Sequence, residues 1–279
     1  LRVTQLYRYP VKSLQGIAVD QLPLTETGLP WDRHWMLVDA NGRFVTQRQL
    51  PAMARIATEI TQDSLLLRCG DQRFAVPLQQ SPQASTPIRV WQSEMPALDE
   101  GAAASHWLTE QLGAFRGAPL RLVRFDPQQT RAIKPKYLQA GESSSTHFAD
   151  GFPYLVASQQ SLDGLNQQLQ AKGCSPVEMA RFRANVVIDG FERPFQELER
   201  LTLQGPNWRL ALRKPCERCP VTTIDQQTGE RIGGKEPLST LMAMDPLADG
   251  RAYFGGNAVL ISHQGEAIRV GDAVTFSLD

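Results

Sequence analysis

The sequence has no surplus of charge of either sign, since 29 Lys plus Arg stand against 29 Asp plus Glu. That excludes a general coat for polyanions, because sequence-independent nucleic-acid binding needs excess cations to displace counterions. No apolar run approaches the roughly 18 residues that a membrane-spanning helix requires. The N-terminal stretch alternates like a strand and does not carry the apolar core of a signal peptide. A soluble, cytoplasmic protein with neither a membrane nor a stable nucleic-acid partner is the expectation. Cysteine is scarce: Cys69, Cys174, Cys216 and Cys219 are too few for a disulfide-dense secreted scaffold. The histidines, His34, His106, His147 and His263, do not cluster, so no Ser-His-Asp arrangement can be argued from them. What the chain does have is 42% hydrophobic residues over 279 positions, ample for a packed core. At that length two sub-domains are as admissible as one.

Short β-branched or aromatic runs fill the first third. Val3–Tyr9, Ile17–Leu24, His34–Asp39, Arg43–Thr46, Ser64–Cys69 and Arg73–Val76 are strand candidates, and Asn41-Gly42 is a two-residue hairpin signal. Ala104, Trp107, Leu108 and Leu112 then fall on one helical face. In the second half, Leu162, Leu165 and Leu169 keep a helical period. Strands are expected over Asn185–Ile188, Leu201–Gln204, Trp208–Leu212, Val221–Ile224, Ala258–Ser262 and Ala273–Leu278. Pro127 to Gly141 lacks regular pattern and reads as a linker or mobile loop. The class is β-rich α+β.

The segment Arg213-Lys214-Pro215-Cys216-Glu217-Arg218-Cys219-Pro220 carries the strongest chemical signal. Structural zinc needs four closed ligands, and no second matching pair exists. A thioredoxin-like site would place the first thiol at a helix N-terminus, whereas Pro and a β-branched run follow Cys219. A third possibility is a thiolate ligand for a soft transition metal, stabilised by the basic Arg213, Lys214 and Arg218. A pair of inert, reduced cysteines in a strand stays open beside it.

Tyr9-Pro10-Val11-Lys12-Ser13-Leu14, Trp31-Asp32-Arg33-His34-Trp35, Phe182-Arg183-Ala184-Asn185-Val186-Val187-Ile188 and the cysteine stretch occur in that order. Together they resemble the MOSC family with its N-terminal β-barrel partner, which includes the mitochondrial amidoxime-reducing component and bacterial relatives. The resemblance implies a β-barrel-like domain over residues 1–120 packed on a MOSC β-barrel over 121–279, with a few helices. It also implies a molybdenum cofactor, a pterin that holds the metal and ends in a phosphate. By the family's pattern Cys219 is the protein's ligand to the metal and Cys216 a near neighbour, although one sequence leaves the opposite assignment open. Lys12, Ser13, Arg33, Arg183 and Asn185 occupy the positions for gripping pterin and phosphate, with Arg218 and Asn257 beside the metal and Gly151 and Phe152 on the pocket wall. Glu217 and Asn257 depart from the animal relatives, which carry Ser and Tyr, and this puts substrate preference in doubt.

The implied function is molybdenum-dependent reduction of N-hydroxylated compounds, that is hydroxylamines, amidoximes and N-hydroxylated nucleobases. Asp225 is a candidate proton donor by its closeness to Cys219, although an Asp here also suits a turn. An alternative is a sulfur or molybdenum-cofactor carrier working through a cysteine persulfide. The remaining cysteines cannot form an iron-sulfur set, so electrons are expected from a separate flavoprotein or iron-sulfur partner, or from a domain outside this sequence. The neutral total also hides an uneven distribution. Residues 1–140 carry 16 basic and 12 acidic side chains, and residues 141–279 carry 13 and 17, so local cations for a small anionic cofactor are available.

Overall fold

The computed structural model describes residues 1–79, 84–231, 233–263 and 267–278. Its largest element is an eight-stranded sheet. Across it run Thr275–Leu278, Leu201–Gln204, Trp208–Glu217, Tyr253–His263, Tyr154–Ser158, Val186–Asp189, Arg2–Arg8 and Ile17–Val19. Neighbours are antiparallel except Tyr154–Ser158 and Val186–Asp189, which pair in parallel with Val156 opposite Val186. A parallel pair needs a crossover, and the helix Gln159–Ala171 supplies it. Ser158 caps that helix by accepting a hydrogen bond from the Ser161 N–H.

The period-two pattern of the strands sorts this sheet's residues into two cores. Tyr154, Val156, Val186, Ile188, Leu210 and Leu212 face one cluster, which also holds Val3 and Leu6 of the first strand. Leu155, Ala157 and Val187 face the other, where Leu162, Leu165 and Leu169 of the crossover helix cover them. Residues 1–140 otherwise build a separate layer. Trp35–Val38, Arg121–Phe125, Ser93–Asp99 and Ser85–Val90 form a four-stranded sheet. Ala57–Ile60, Ser64–Cys69 and Gln72–Pro77 form a three-stranded meander. The helix Ala102–Leu112 lays Ala104, Trp107 and Leu108 into the core of this layer.

The fold is the β-rich α+β class read from the sequence, with several local differences. Strand pairing crosses the 120/121 boundary in both directions. Arg2–Arg8 lies inside the sheet of the second half, and Arg121–Phe125 lies inside that of the first. The expected strand Ile17–Leu24 breaks at Asp20, and Gln21–Pro23 pairs instead with Ala267–Arg269. Arg43–Thr46 makes only isolated bridges, at Arg43 and Phe44. Of the Asn41-Gly42 pair only Gly42 has positive φ. The Gly42 N–H donates to the Asp39 carbonyl, so the turn is longer than two residues. Val221–Ile224 is not a strand. Pro220–Thr223 forms a 3-10 turn because Pro220 starts it and the Thr222 and Thr223 hydroxyls return to the Cys219 and Pro220 carbonyls. Pro127 to Gly141 is anchored: Ile133 is buried, and Arg131 donates to the carbonyls of His147, Ala149 and Asp150. No helix among the described residues is long and apolar enough to cross a membrane.

One buried group ties stability to pH. Glu197 is fully buried, accepts a 2.7 Å hydrogen bond from the Ser161 hydroxyl, and has its carboxyl pushed up by burial to about 7. The native state therefore binds a proton that the unfolded chain has released between about pH 4.5 and 7. Its contribution is fully present below that window and is lost as pH rises through it. Glu197→Gln, which carries no charge to desolvate, is expected to gain up to ~3 kcal/mol over the parent at pH 8 and little at pH 4.5. Urea unfolding at the two pH values checks this; an equal effect at both would show that Glu197 does not titrate in the fold.

Candidate functional site

The first strand and the strands Tyr154–Ser158 and Val186–Asp189 meet at one end of the large sheet, and a buried polar network fills that end. Asp32, 3% exposed, accepts from the Tyr9 N–H at 2.7 Å, from the Asn185 amide at 3.1 Å, and from Arg33. Asn185, 1% exposed, also donates to the Tyr7 carbonyl and accepts from Arg33 at 3.0 Å and from the Leu155 N–H at 3.1 Å. Its side-chain amide is thereby fully engaged by protein. Arg33 donates further to the Arg183 carbonyl at 2.9 Å.

Above this network opens a cleft. Lys12, Ser13, Arg33, Gly151, Phe152, Arg183, Asn185, Arg218, Cys219 and Asn257, ten of the positions singled out from sequence, all line it. Cys216 lines it too. Ser13, Arg33 and Arg183 have φ of 68°, 46° and 56°. Left-handed backbone costs a non-glycine residue about 1–3 kcal/mol and persists only where surroundings enforce it. Here the enforcing contacts are Gln47 donating to the Ser13 carbonyl at 2.8 Å, the Arg33 N–H on the Tyr9 carbonyl at 2.7 Å, and the Arg183 N–H on the Ala180 carbonyl at 3.2 Å. Three strained residues presenting side chains to one cleft mark it as a constructed site.

Cations dominate the lining. Lys12, Arg33, Arg48, Arg183 and Arg218 face a single carboxylate, Asp150. The Lys12 ammonium, nearly buried, bonds the Phe148 carbonyl and Asp150. Burial lowers its pKa, and Asp150 partly restores it. The Asp150 side chain is 72% exposed, so little desolvation opposes the Lys12 ammonium and the Trp91 indole N–H, which hold its carboxyl below the usual carboxylate range. The guanidinium carbons of Arg33 and Arg183 each lie 4.4 Å from the centre of the Tyr9 ring, a cation–π arrangement that helps tolerate buried charge. Burial brings Arg183 down to about 10 and pushes the Tyr9 hydroxyl up to about 12, so Arg183 stays charged at neutral pH.

The two thiols differ. Arg218 donates to the Cys216 sulfur at 2.9 Å and to the Phe182 carbonyl at 2.9 Å. Among the described residues Cys219 Sγ has no hydrogen-bond partner, and both cysteines are free. Of the basic neighbours read from the sequence, only Arg218 touches a thiol. Arg213 is buried and paired with Glu142, and Lys214 is exposed, its ammonium 5.6 Å from the centre of the Tyr137 ring. Register shifts on either side of Lys214 and Pro215 break simple alternation there. Asn257 donates to the Lys214 carbonyl at 3.2 Å.

Asp225 does not line the cleft. Its carboxylate accepts from the N–H groups of Gln227 and Thr228 and pairs with Arg181 at 3.3 Å. The Thr228 N–H above all holds its pKa below the ordinary value. Asp225 thus shapes a turn and stays ionised. Thr46 and Arg48 line the cleft although nothing singled them out in the sequence, and Asp150, the first residue of the Asp150-Gly151-Phe152-Pro153-Tyr154 stretch, lines it beside them. Asp150 directly precedes the Gly151-Phe152 wall, which was its one visible signal.

The donor set fits an anionic cofactor with a thiolate-seeking metal. Arg183 Nη2 and Arg218 Nε are buried without a hydrogen-bond partner among the described residues, and an orphaned guanidinium nitrogen is costly unless a ligand satisfies it. Among the described residues no group of three or more His, Cys, Asp or Glu could hold a metal alone. A metal at one thiolate would therefore have to bring its other ligands with it, as a pterin dithiolene does.

Comparison with known proteins agrees with this geometry. Residues 1–114 match the MOSC N-terminal beta barrel domain and residues 143–275 the MOSC domain. The mitochondrial amidoxime-reducing component 1 of Mus musculus is 31% identical over 98% of this chain and 81% of its own length, and that of Homo sapiens is 31% identical over 98% and 82%. The molybdenum cofactor sulfurase of Drosophila erecta is 32% identical over 91% of this chain, which spans 31% of the sulfurase's length. The cleft and these relatives converge on one conclusion: the chain belongs to the MOSC family, with a MOSC N-terminal beta barrel domain ahead of its MOSC domain.

Proposed function

We propose that this protein is a molybdenum-cofactor-dependent reductase of N-hydroxylated compounds. The observation that supports the reading best is the cleft itself, where five cations, two partnerless guanidinium nitrogens and an open thiol converge. Arg183 and Ser13 would hold the phosphate end, since a planar guanidinium offers two parallel donors to phosphate oxygens. Cys219 would supply the thiolate, with Arg218 fixing Cys216 beside it. When bound, the cofactor supplies the redox chemistry that breaks an N–O bond. The balance is R–NH–OH plus two electrons and two protons giving R–NH2 and water, with electrons from a separate flavoprotein or iron-sulfur donor. Lys12 fixes Asp150 at the cleft wall, and Phe152 keeps part of that wall apolar.

Protein made in a host that synthesises the pterin is expected to contain molybdenum and to oxidise a reduced dye, anaerobically, only when an N-hydroxylated substrate is added. Protein without molybdenum would overturn the reading. Full occupancy with no reduction, and a persulfide on Cys219 by mass spectrometry, would favour the carrier role instead; the two free thiols in one cleft are the observation behind that second reading.

A further inference from the structure

A second cleft adjoins the first and shares Asp150, Gly151, Phe152, Cys216 and Asn257 with it. Its own lining pairs aromatic rings with unpaired cations. Trp91, 44% exposed, enters from the first half of the chain and is tied down by its indole N–H on Asp150 at 3.2 Å. The Arg48 guanidinium, 4.8 Å from the Trp91 ring centre, packs against it. Tyr137 and Phe152 come from the second half, with ring centres 5.3 Å apart. Lys134 and Lys214 also line this cleft and have no carboxylate partner among the described residues. The other charges nearby are already spent. Arg131 serves backbone carbonyls, Asp150 is paired with Lys12, and Glu217 faces Arg251.

We propose that this second cleft is the substrate entrance and that it selects planar aromatic N-hydroxylated compounds bearing an anionic substituent. The proposal rests on the reductase reading for the word substrate, but its recognition chemistry is independent of turnover. Trp91, Tyr137 and Phe152 give a flat ring an aromatic wall at little entropic cost, with Arg48 already over Trp91 and Lys136 and Lys214 over Tyr137. The exposed Lys134 and Lys214 ammonium groups, which have no carboxylate partner, attract a carboxylate or phosphate on that ring, and among the described residues lining the cleft an approaching anion meets no unpaired carboxylate. A neutral aliphatic hydroxylamine would use neither feature.

The test compares benzamidoxime with its para-carboxy analogue. In parallel, binding of benzamide and para-carboxybenzamide, which have no N–O bond to reduce, is followed by Trp91 fluorescence, with Trp91→Phe as the control for the signal. The parent protein is expected to bind the carboxylated amide about fivefold more tightly than the neutral one, as two exposed ion pairs allow. The carboxylated amidoxime should show a matching fall in KM. Lys134→Gln/Lys214→Gln should abolish the ratio between the carboxylated and the neutral compound, whatever it does to either compound alone, and raised salt should do the same to the parent. Equal binding of the two amides by the parent, or a preference that survives the double substitution, overturns the entrance whatever the turnover. Selective binding with no reduction of either amidoxime upholds the entrance and defeats the reductase reading.

Discussion

Cys219→Ser is expected to purify without molybdenum from a host in which the parent acquires it, whereas Cys216→Ser retains the metal. The reasoning starts from the partners of the two sulfurs. Cys216 already accepts from Arg218 at 2.9 Å, while Cys219 faces the cleft with its sulfur unengaged among the described residues. A hydroxyl is a poor replacement for a soft thiolate donor, so the serine variant loses the bond that fixes the metal. Cys216 would act as a neighbour. Changing such a group costs roughly 10–100-fold in metal affinity, which weakens retention without removing it. Elemental analysis of both variants, with circular dichroism to establish folding, gives the answer. Metal in the first and none in the second would assign the ligand to Cys216.

The largest loss of stability should come from the network beneath the cleft. Asp32→Ala removes the acceptor for the Tyr9 N–H and the Asn185 amide and leaves the nearly buried Arg33 without its carboxylate. Breaking a buried ion pair by deleting one partner costs about 3–5 kcal/mol, because the remaining charge is uncompensated. That is a large part of the 5–15 kcal/mol typical of a folded domain. Asn185→Ala should cost about 2–4 kcal/mol by taking one acceptor from Arg33, a donor from Asp32 and the Tyr7 carbonyl, and the acceptor of the Leu155 N–H. The double variant should lose less than the sum, since both single changes break the same hydrogen bond. Urea unfolding followed by fluorescence and circular dichroism measures all three. A loss below about 1 kcal/mol for Asp32→Ala would mean that water replaces the carboxylate and that the network is not tightly packed.

Much of the architecture was legible because its cause is local. Alternation placed Leu201 and Leu203 on a strand, and the spacing of Leu162, Leu165 and Leu169 specified the crossover helix, whereas Val3 and Leu6 share one core only because the register shifts between Val3 and Gln5. The cleft residues were legible only through ordered motifs, since no periodicity says that Lys12, Arg183 and Cys219 converge. What escaped depends on long-range partners. Arg213 read as a neighbour of the thiols until its pairing with Glu142 was known, and Arg131 read as part of a loose loop although it clasps three carbonyls. Asp225 shows the same limit. Its distance along the chain from Cys219 is short, yet its carboxylate closes a turn of its own. The Val221–Ile224 strand failed because β-branched threonines also stabilise a tight turn when their hydroxyls can return to the backbone.

The placement of Arg2–Arg8 between Val186–Asp189 and Ile17–Val19 has a consequence for biosynthesis. As it leaves the ribosome, this strand has one neighbour available almost at once and must wait for the other, because Val3 is opposite Ile188. During that interval its free edge is a hydrogen-bonding template for foreign strands. The bonds that the Asn185 amide donates to the Tyr7 carbonyl and to Asp32 cannot close until the same moment. The cleft is therefore among the last parts of the chain to exist. A nascent protein has no finished anion site in which to trap cofactor until Arg183, Asn185 and Arg218 have emerged.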